Sequence, residues 1–176
     1  MRDKKKLQLE EALARHRAAV DRFVTSASLT EAGDWDRGIA DGKWSPAQIT
    51  EHLRLSLEAV HRELDGEGSM RIVLPFWKRY LLRRAVLPRL LATGRFPTGV
   101  RAPREIRPAS PTAPKEDALR ELERLVGEFE ARFHADPRSA SRRLAHPYFG
   151  ALPAHELVLI LAWHALHHRG QLPTAQ

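Results

Sequence analysis

The chain has 176 residues, 43% of them apolar, with no cysteine and a net charge of +7. That length fits one domain, 1–176, large enough to bury a core without staples, and the apolar share argues against disorder. The missing thiols exclude disulfides, thiolate metal sites and a cysteine nucleophile, so a transition-metal site would use histidine, carboxylate or water.

The N-terminus, Met1 to Lys6, is basic, but Glu, Arg and Asp pepper residues 7–27. No signal peptide is therefore expected, and no stretch is long and apolar enough to span a bilayer. The expected location is cytoplasmic. There is no internal repeat and no low-complexity tract.

Four helices are predicted. The first runs over about 5–28, where Leu9, Leu13, Val20, Phe23, Val24 and Ala27 recur at three- and four-residue steps, the period of a helix with one buried face. The second covers about 46–65. Ser45 caps it, Pro46 suits its first turn, and Gln48 holds the reciprocal capping-box position. Ile49, Leu53, Leu57, Val60 and Leu64 form its buried stripe, and Gly66 and Gly68 stop it.

Between the second and third helices, residues 71–92 are apolar and basic with breaks at Pro75 and Pro88, which predicts one or two short helices. Residues 94–114 hold five of the twelve prolines and predict an extended connection. The third helix covers about 115–134. Leu119, Leu122, Val126, Phe129 and Phe133 give its apolar face, and Glu116 and Asp117 favour the positive end of its dipole. The fourth covers about 154–171 and carries Leu157, Ile160 and Leu161. The expected class is all-α, a four-helix bundle whose long crossover, at about 69–114, joins helices 2 and 3.

Three of the nine histidines fall at 164, 167 and 168. At about 100° per residue, His164 and His168 lie within about 40° of each other on the buried stripe, and His167 lies about 60° outside His164. Two imidazoles at i and i+4 can grip one ion. The competing reading is a solvated helix end that answers the dipole. His52 borders the buried stripe of the second helix. A lone core histidine is usually satisfied by a backbone carbonyl, but here three imidazoles face one interior.

Trp44-Ser45-Pro46 followed by Glu51-His52-Leu53, and His164-Ala165-Leu166-His167-His168-Arg169-Gly170-Gln171-Leu172, resemble the paired signatures of the DinB superfamily. His146-Pro147-Tyr148-Phe149-Gly150 is also similar to it. The resemblance spans the chain in helix order, although only these stretches are specific. It implies a DinB-like bundle and a three-histidine metal site. Matched residue by residue, the ligands would be His52, His164 and His168, holding a divalent metal ion, zinc or nickel, with open positions. Several relatives resemble thiol S-transferases or isomerases that use low-molecular-weight thiols. A homodimer is implied on the same ground. The connection is more basic than the family pattern, and the chain's end at Gln176 is expected to leave the site open on one side.

Three neutral imidazoles leave a metal its full charge and an open position, so that a thiol or water there ionises readily. Thiol transfer and hydrolysis both remain open. Glu51 is expected to face solvent, and Gln171 to orient a ligand ring. Trp44 and Trp163 read as core or wall residues, and His167 as an outer or surface residue. His16, His61, His134, His146 and His155 show no grouping with the ligands.

Between Arg71 and Arg107 stand ten Lys/Arg and one acid, a net +9, while the rest of the chain carries −2. The expectation is one exposed charged face that folding does not need. Three readings compete: a helix packed on the bundle with its arginines reaching outward, an interfacial helix on anionic lipid, and a cationic patch for an anionic small molecule such as a thiol's carboxylates. Nucleic acid fits the charge alone, without a recognised reading motif. Two function classes follow: a metal-dependent enzyme, such as a thiol S-transferase, and a non-catalytic helical binding protein whose basic segment docks on an anionic membrane or acidic partner.

Overall fold

A computed structural model describes residues 2–68, 74–97, 101–109 and 112–173. In chain order its helices are α1 (Arg2–Ser28), α2 (Pro46–Asp65), α3 (Phe76–Ala85), α4 (Leu87–Thr93), α5 (Lys115–Ala135) and α6 (Ala154–Arg169). A hairpin of β1 (Arg143–His146) and β2 (Gly150–Pro153) precedes α6. Among the described residues, no helix is long and apolar enough to cross a membrane.

The start of α2 follows from its cap. Ser45 Oγ accepts from the Gln48 N–H, and Gln48 Oε1 accepts from the Ser45 N–H, which satisfies two donors that a helix start leaves free. Gly66, at φ 77°, ends the helix in the left-handed conformation, a region that costs glycine little.

The long helices form the expected bundle. α1 lies along α6, α2 along α5, α1 also meets α5, and α2 meets α6. This is the four-helix bundle with its crossover between α2 and α5. Phe23 on α1, Ile49 on α2, Val126 and Phe129 on α5, and Val158 on α6 are fully buried in its core. Removing a ring such as Phe129 would cost about 3–5 kcal/mol, from lost transfer energy plus the cavity left behind. Arg17 joins α1 to α5 through two hydrogen bonds to Glu130, 3.0 and 2.6 Å long.

A satellite core forms where α4, the hairpin and α6 meet. Leu87, Leu90, Phe149, Leu152 and Ile160 are buried there, with Leu82, Val86 and Phe96 against them. Gly94, at φ 67°, ends α4 directly over Trp163, where a Cβ would lie 2.6 Å from the indole. Trp163 Nε1 in turn donates to the Leu91 carbonyl. α4 is thereby held against α6, close to the histidines.

Three finer readings differ from the structure, while the all-α expectation holds with a minor hairpin. Its strands have four residues each and no β-branched side chain, so alternation gives no signal, and pairing is set by the turn at Pro147-Tyr148-Phe149 with Gly150 at φ 72°. α6 ends at Arg169, so Gln171 lies in the turn beyond it. α3 is oriented with two of its arginines inward. Arg83 donates to the Ala151 carbonyl at 3.0 Å, and Arg79 Nε is buried, with its guanidinium close to Gly150. The charges of this segment therefore do not form one exposed face, and two of them lean on the fold. Finally, the Pro-rich connection contains a short 3₁₀ turn, Arg104–Ile106, whose Ile106 is buried. The start of the basic segment, Met70 and Arg71, lies outside the described residues.

Candidate metal centre

Three imidazoles converge where α2 and α6 face each other. His52 sits on the buried side of α2, while His164 and His168 lie one turn apart on α6. His164 Nε2 is 3.0 Å from His52 Nε2 and 3.0 Å from His168 Nε2. One ring nitrogen from each of the three lies within 4.8 Å of the others. His52 and His168 are buried, and His164 is partly open.

The outer ring nitrogens fix the tautomers. His52 Nδ1 lies 2.7 Å from the Ile106 carbonyl, which can only accept, so this nitrogen carries the hydrogen. His168 Nδ1 donates to Gln171 Oε1 at 2.8 Å, and the same amide turns its nitrogen to His167 Nε2 at 3.1 Å. Both Nε2 atoms must then present lone pairs to the centre. Burial lowers the pKa of all three rings. For His168 it falls to about 3, with His52 adding to the effect. For His164 it falls well below the ordinary value, through burial and then the neighbouring His168 and His52. His52 is also lowered, chiefly by burial. The rings are therefore neutral at physiological pH.

This donor set fits a cation. One hydrogen on His164 Nε2 can serve one neighbour, which leaves the other contact as lone pair against lone pair. A positive ion at the centre satisfies all three. Tetrahedral ligands about 2.0–2.1 Å from zinc stand about 3.3 Å apart, close to the nitrogen spacing seen here. The Nδ1 anchors are the outer partners that ligating histidines ordinarily have.

The three rings open into a cavity of about 630 Å³. Trp44 forms one wall, its ring 4.8 Å from His52 and 6.2 Å from His168 between centroids. Phe96 covers His164 at 5.7 Å and His167 at 5.2 Å. Leu82, Leu90, Ile106, Tyr148 and Phe149 continue the apolar lining, while Lys43, Arg101 and Gln171 supply its polar edge.

The structure thus brings together the three histidines that the sequence singles out. His167 stays exposed and outside the cluster. Glu51 pairs with Arg54 beyond the cluster. Trp44 and Trp163 are wall and packing residues. Two contributors escape the sequence reading. His146 lines the cavity, stacks on Phe149 at 4.7 Å, and accepts the Tyr148 N–H at Nδ1. Burial lowers its pKa to about 3, although part of its surface stays open. The His-Pro-Tyr-Phe-Gly stretch was the signal available for it. The other contributor is the Ile106 carbonyl, for which an isolated apolar residue in a Pro-rich tract is the only hint.

The DinB superfamily pattern matches residues 8–172. Among solved structures, YfiT from Bacillus subtilis has a similar fold, with a TM-score of 0.60 and 15% identity over 97% of this chain and 86% of that one. YfiT is described as a probable metal-dependent hydrolase with an unusual four-helix bundle topology. No curated protein matches the chain. With a match that runs from the first helix to the turn beyond the last histidine, the chain belongs to the DinB superfamily.

Proposed function

We propose that this chain is a metal-dependent enzyme in which His52, His164 and His168 hold one divalent ion, zinc or nickel, and the adjoining cavity receives an apolar electrophile together with a low-molecular-weight thiol. The observation that carries this reading is the convergence of three neutral Nε2 atoms on one point at the floor of an open cavity. Such an ion supplies positive charge and an open position, at which a thiol or water loses its proton near neutral pH.

The chain's own residues supply the rest. Ile106 and Gln171 hold two rings in the tautomer that points lone pairs inward. Trp44, Phe96 and Phe149 exclude water and favour an apolar substrate. Lys43 and Arg101, on the cavity lining, suit the carboxylates of a small thiol. His146 has its Nδ1 occupied by the Tyr148 N–H, so its Nε2 carries the hydrogen and can donate to a bound substrate.

The test is metal analysis of protein purified without a histidine tag, followed by turnover assays. The assays pair several small thiols with apolar electrophiles, and run apolar esters and amides without thiol. One bound ion and thiol-dependent consumption of an electrophile support the reading. Hydrolysis without thiol would move the reaction to the class named for YfiT. Stoichiometric metal with no turnover in either panel would favour a structural ion in a binding protein.

A further inference from the structure

Seven large apolar side chains are exposed among the described residues, and four of them, Phe76, Trp77, Tyr80 and Leu81, lie on α3. At about 100° per residue these four share one side of the helix, with Arg84 inside their arc. The opposite side carries Leu82 and Val86, packed into the satellite core, and Arg79 and Arg83 follow on the flank beside Phe76, where they reach the hairpin. The helix is amphipathic in an inverted sense, with aromatics toward solvent and two arginines toward protein. Contiguous exposed apolar surface of this kind marks an interaction site.

The setting of that face is basic. Lys78 Nζ lies 5.3 Å from the centre of the Trp77 ring, Arg84, Arg89 and Arg95 are exposed, and the segment from Arg71 to Arg107 carries net +9. We propose that α3 is an interfacial helix that seats this chain on an anionic lipid surface. Its aromatic side chains lie at the headgroup boundary, and Lys78 and Arg84 meet lipid phosphates. Trp and Tyr suit that boundary because each is apolar in body and polar at one edge. A short apolar face binds lipid weakly alone, and the cations supply the second attraction. A second copy of the chain fits less well, because a two-fold contact through α3 would set two segments of +9 against each other. Leu82 and Val86, on the inner side of α3, line the cavity, so docking would bring the cavity wall to a source of apolar substrates. The proposal does not depend on what the histidines hold.

The experiment is flotation of the full chain with vesicles of phosphatidylglycerol and phosphatidylcholine, and with phosphatidylcholine alone. Binding to anionic vesicles should exceed binding to neutral ones by about tenfold or more, and should fall in about 0.5 M salt. Phe76→Ser with Trp77→Ser, and separately Lys78→Glu with Arg84→Glu, should each weaken binding by about tenfold, with unchanged circular dichroism melting. A conservative variant covers the case in which these unfold. Wild-type tryptophan emission should shift to the blue on anionic vesicles, and Trp77→Phe should lose most of that shift. Failure of the wild type to bind, equal binding to neutral vesicles, or a full blue shift in Trp77→Phe overturns the proposal. So does a dimer in sedimentation that Phe76→Ser with Trp77→Ser converts to monomer, which would assign the face to a second copy.

Discussion

Two regions of the bundle bury histidine, and they do different things with it. On α1, His16 is 3% exposed, lies edge-on to Phe129 at 5.6 Å between centroids, and has no partner for Nδ1 among the described residues. Burial, with a smaller contribution from Arg17, lowers its pKa to about 4. Between α2 and α6, His52 and His168 are also buried, and burial lowers the pKa of both. What separates the regions is the direction of the nitrogens. His52 and His168 have Nδ1 tied to fixed acceptors and Nε2 aimed at a common point, whereas His16 serves as an apolar ring. Burial makes an imidazole a neutral base, and convergence with anchored outer nitrogens is what makes a site.

The strongest way to break this comparison is to remove one ring from each region. Ala at His52, His164 or His168 should cut metal content from near one ion per chain to near none, since two imidazoles hold an ion far less well than three. His16→Leu should leave metal content unchanged. Elemental analysis of untagged protein reads both. Metal retained in His164→Ala, or lost in His16→Leu, would erase the distinction.

Acid stability measures the share of the isolated ring next. The folded pKa of His16 lies below its unfolded value of 6.5, so below pH 6.5 the unfolded chain binds the proton that the folded chain refuses. The contribution of His16 to stability is intact above pH 6.5 and is lost as pH falls toward 4. Between pH 6.5 and about 4.5 the loss is about 2 kcal/mol. Urea denaturation of the metal-free protein should show a slope that His16 shares with the other buried imidazoles, and His16→Leu should reduce it by about one proton. An unchanged slope in that variant would place the proton linkage elsewhere.

The anchors come third. Gln171→Ala frees His168 Nδ1 and should weaken metal affinity by about 10–100-fold without unfolding the bundle, as read by competition with a chelator. The smallest effect is expected at His167. Its hydrogen bond is to the far side of the Gln171 amide and it lies outside the converging cluster, so His167→Ala should change affinity by no more than about threefold. A loss as large as that from His168→Ala would make His167 a ligand.

Much of this molecule follows from the order of its residues. The period of the apolar positions gives all four long helices. The Ser45 capping box, Gly66 and the prolines before α5 and α6 give their ends, because caps and breakers act within one turn of chain. The four-residue spacing of His164 and His168 puts both on one face of α6 for the same local reason. Tertiary structure decided what distant segments supply. The Ile106 carbonyl reaches His52 across 54 positions, and His146 joins the cavity through a hairpin that lacks strand periodicity. His16 lies on the same apolar stripe of α1 as Leu13 and Val20, yet sequence gives it the same standing as any other histidine. α3 shows the limit most clearly. Its composition allows either face to pack, and the inward turn of Arg79 and Arg83 was set by the hairpin carbonyl and close approach that received them. Local rules fix helix and cap, but the direction in which a side chain finds its partner is a property of the assembled core.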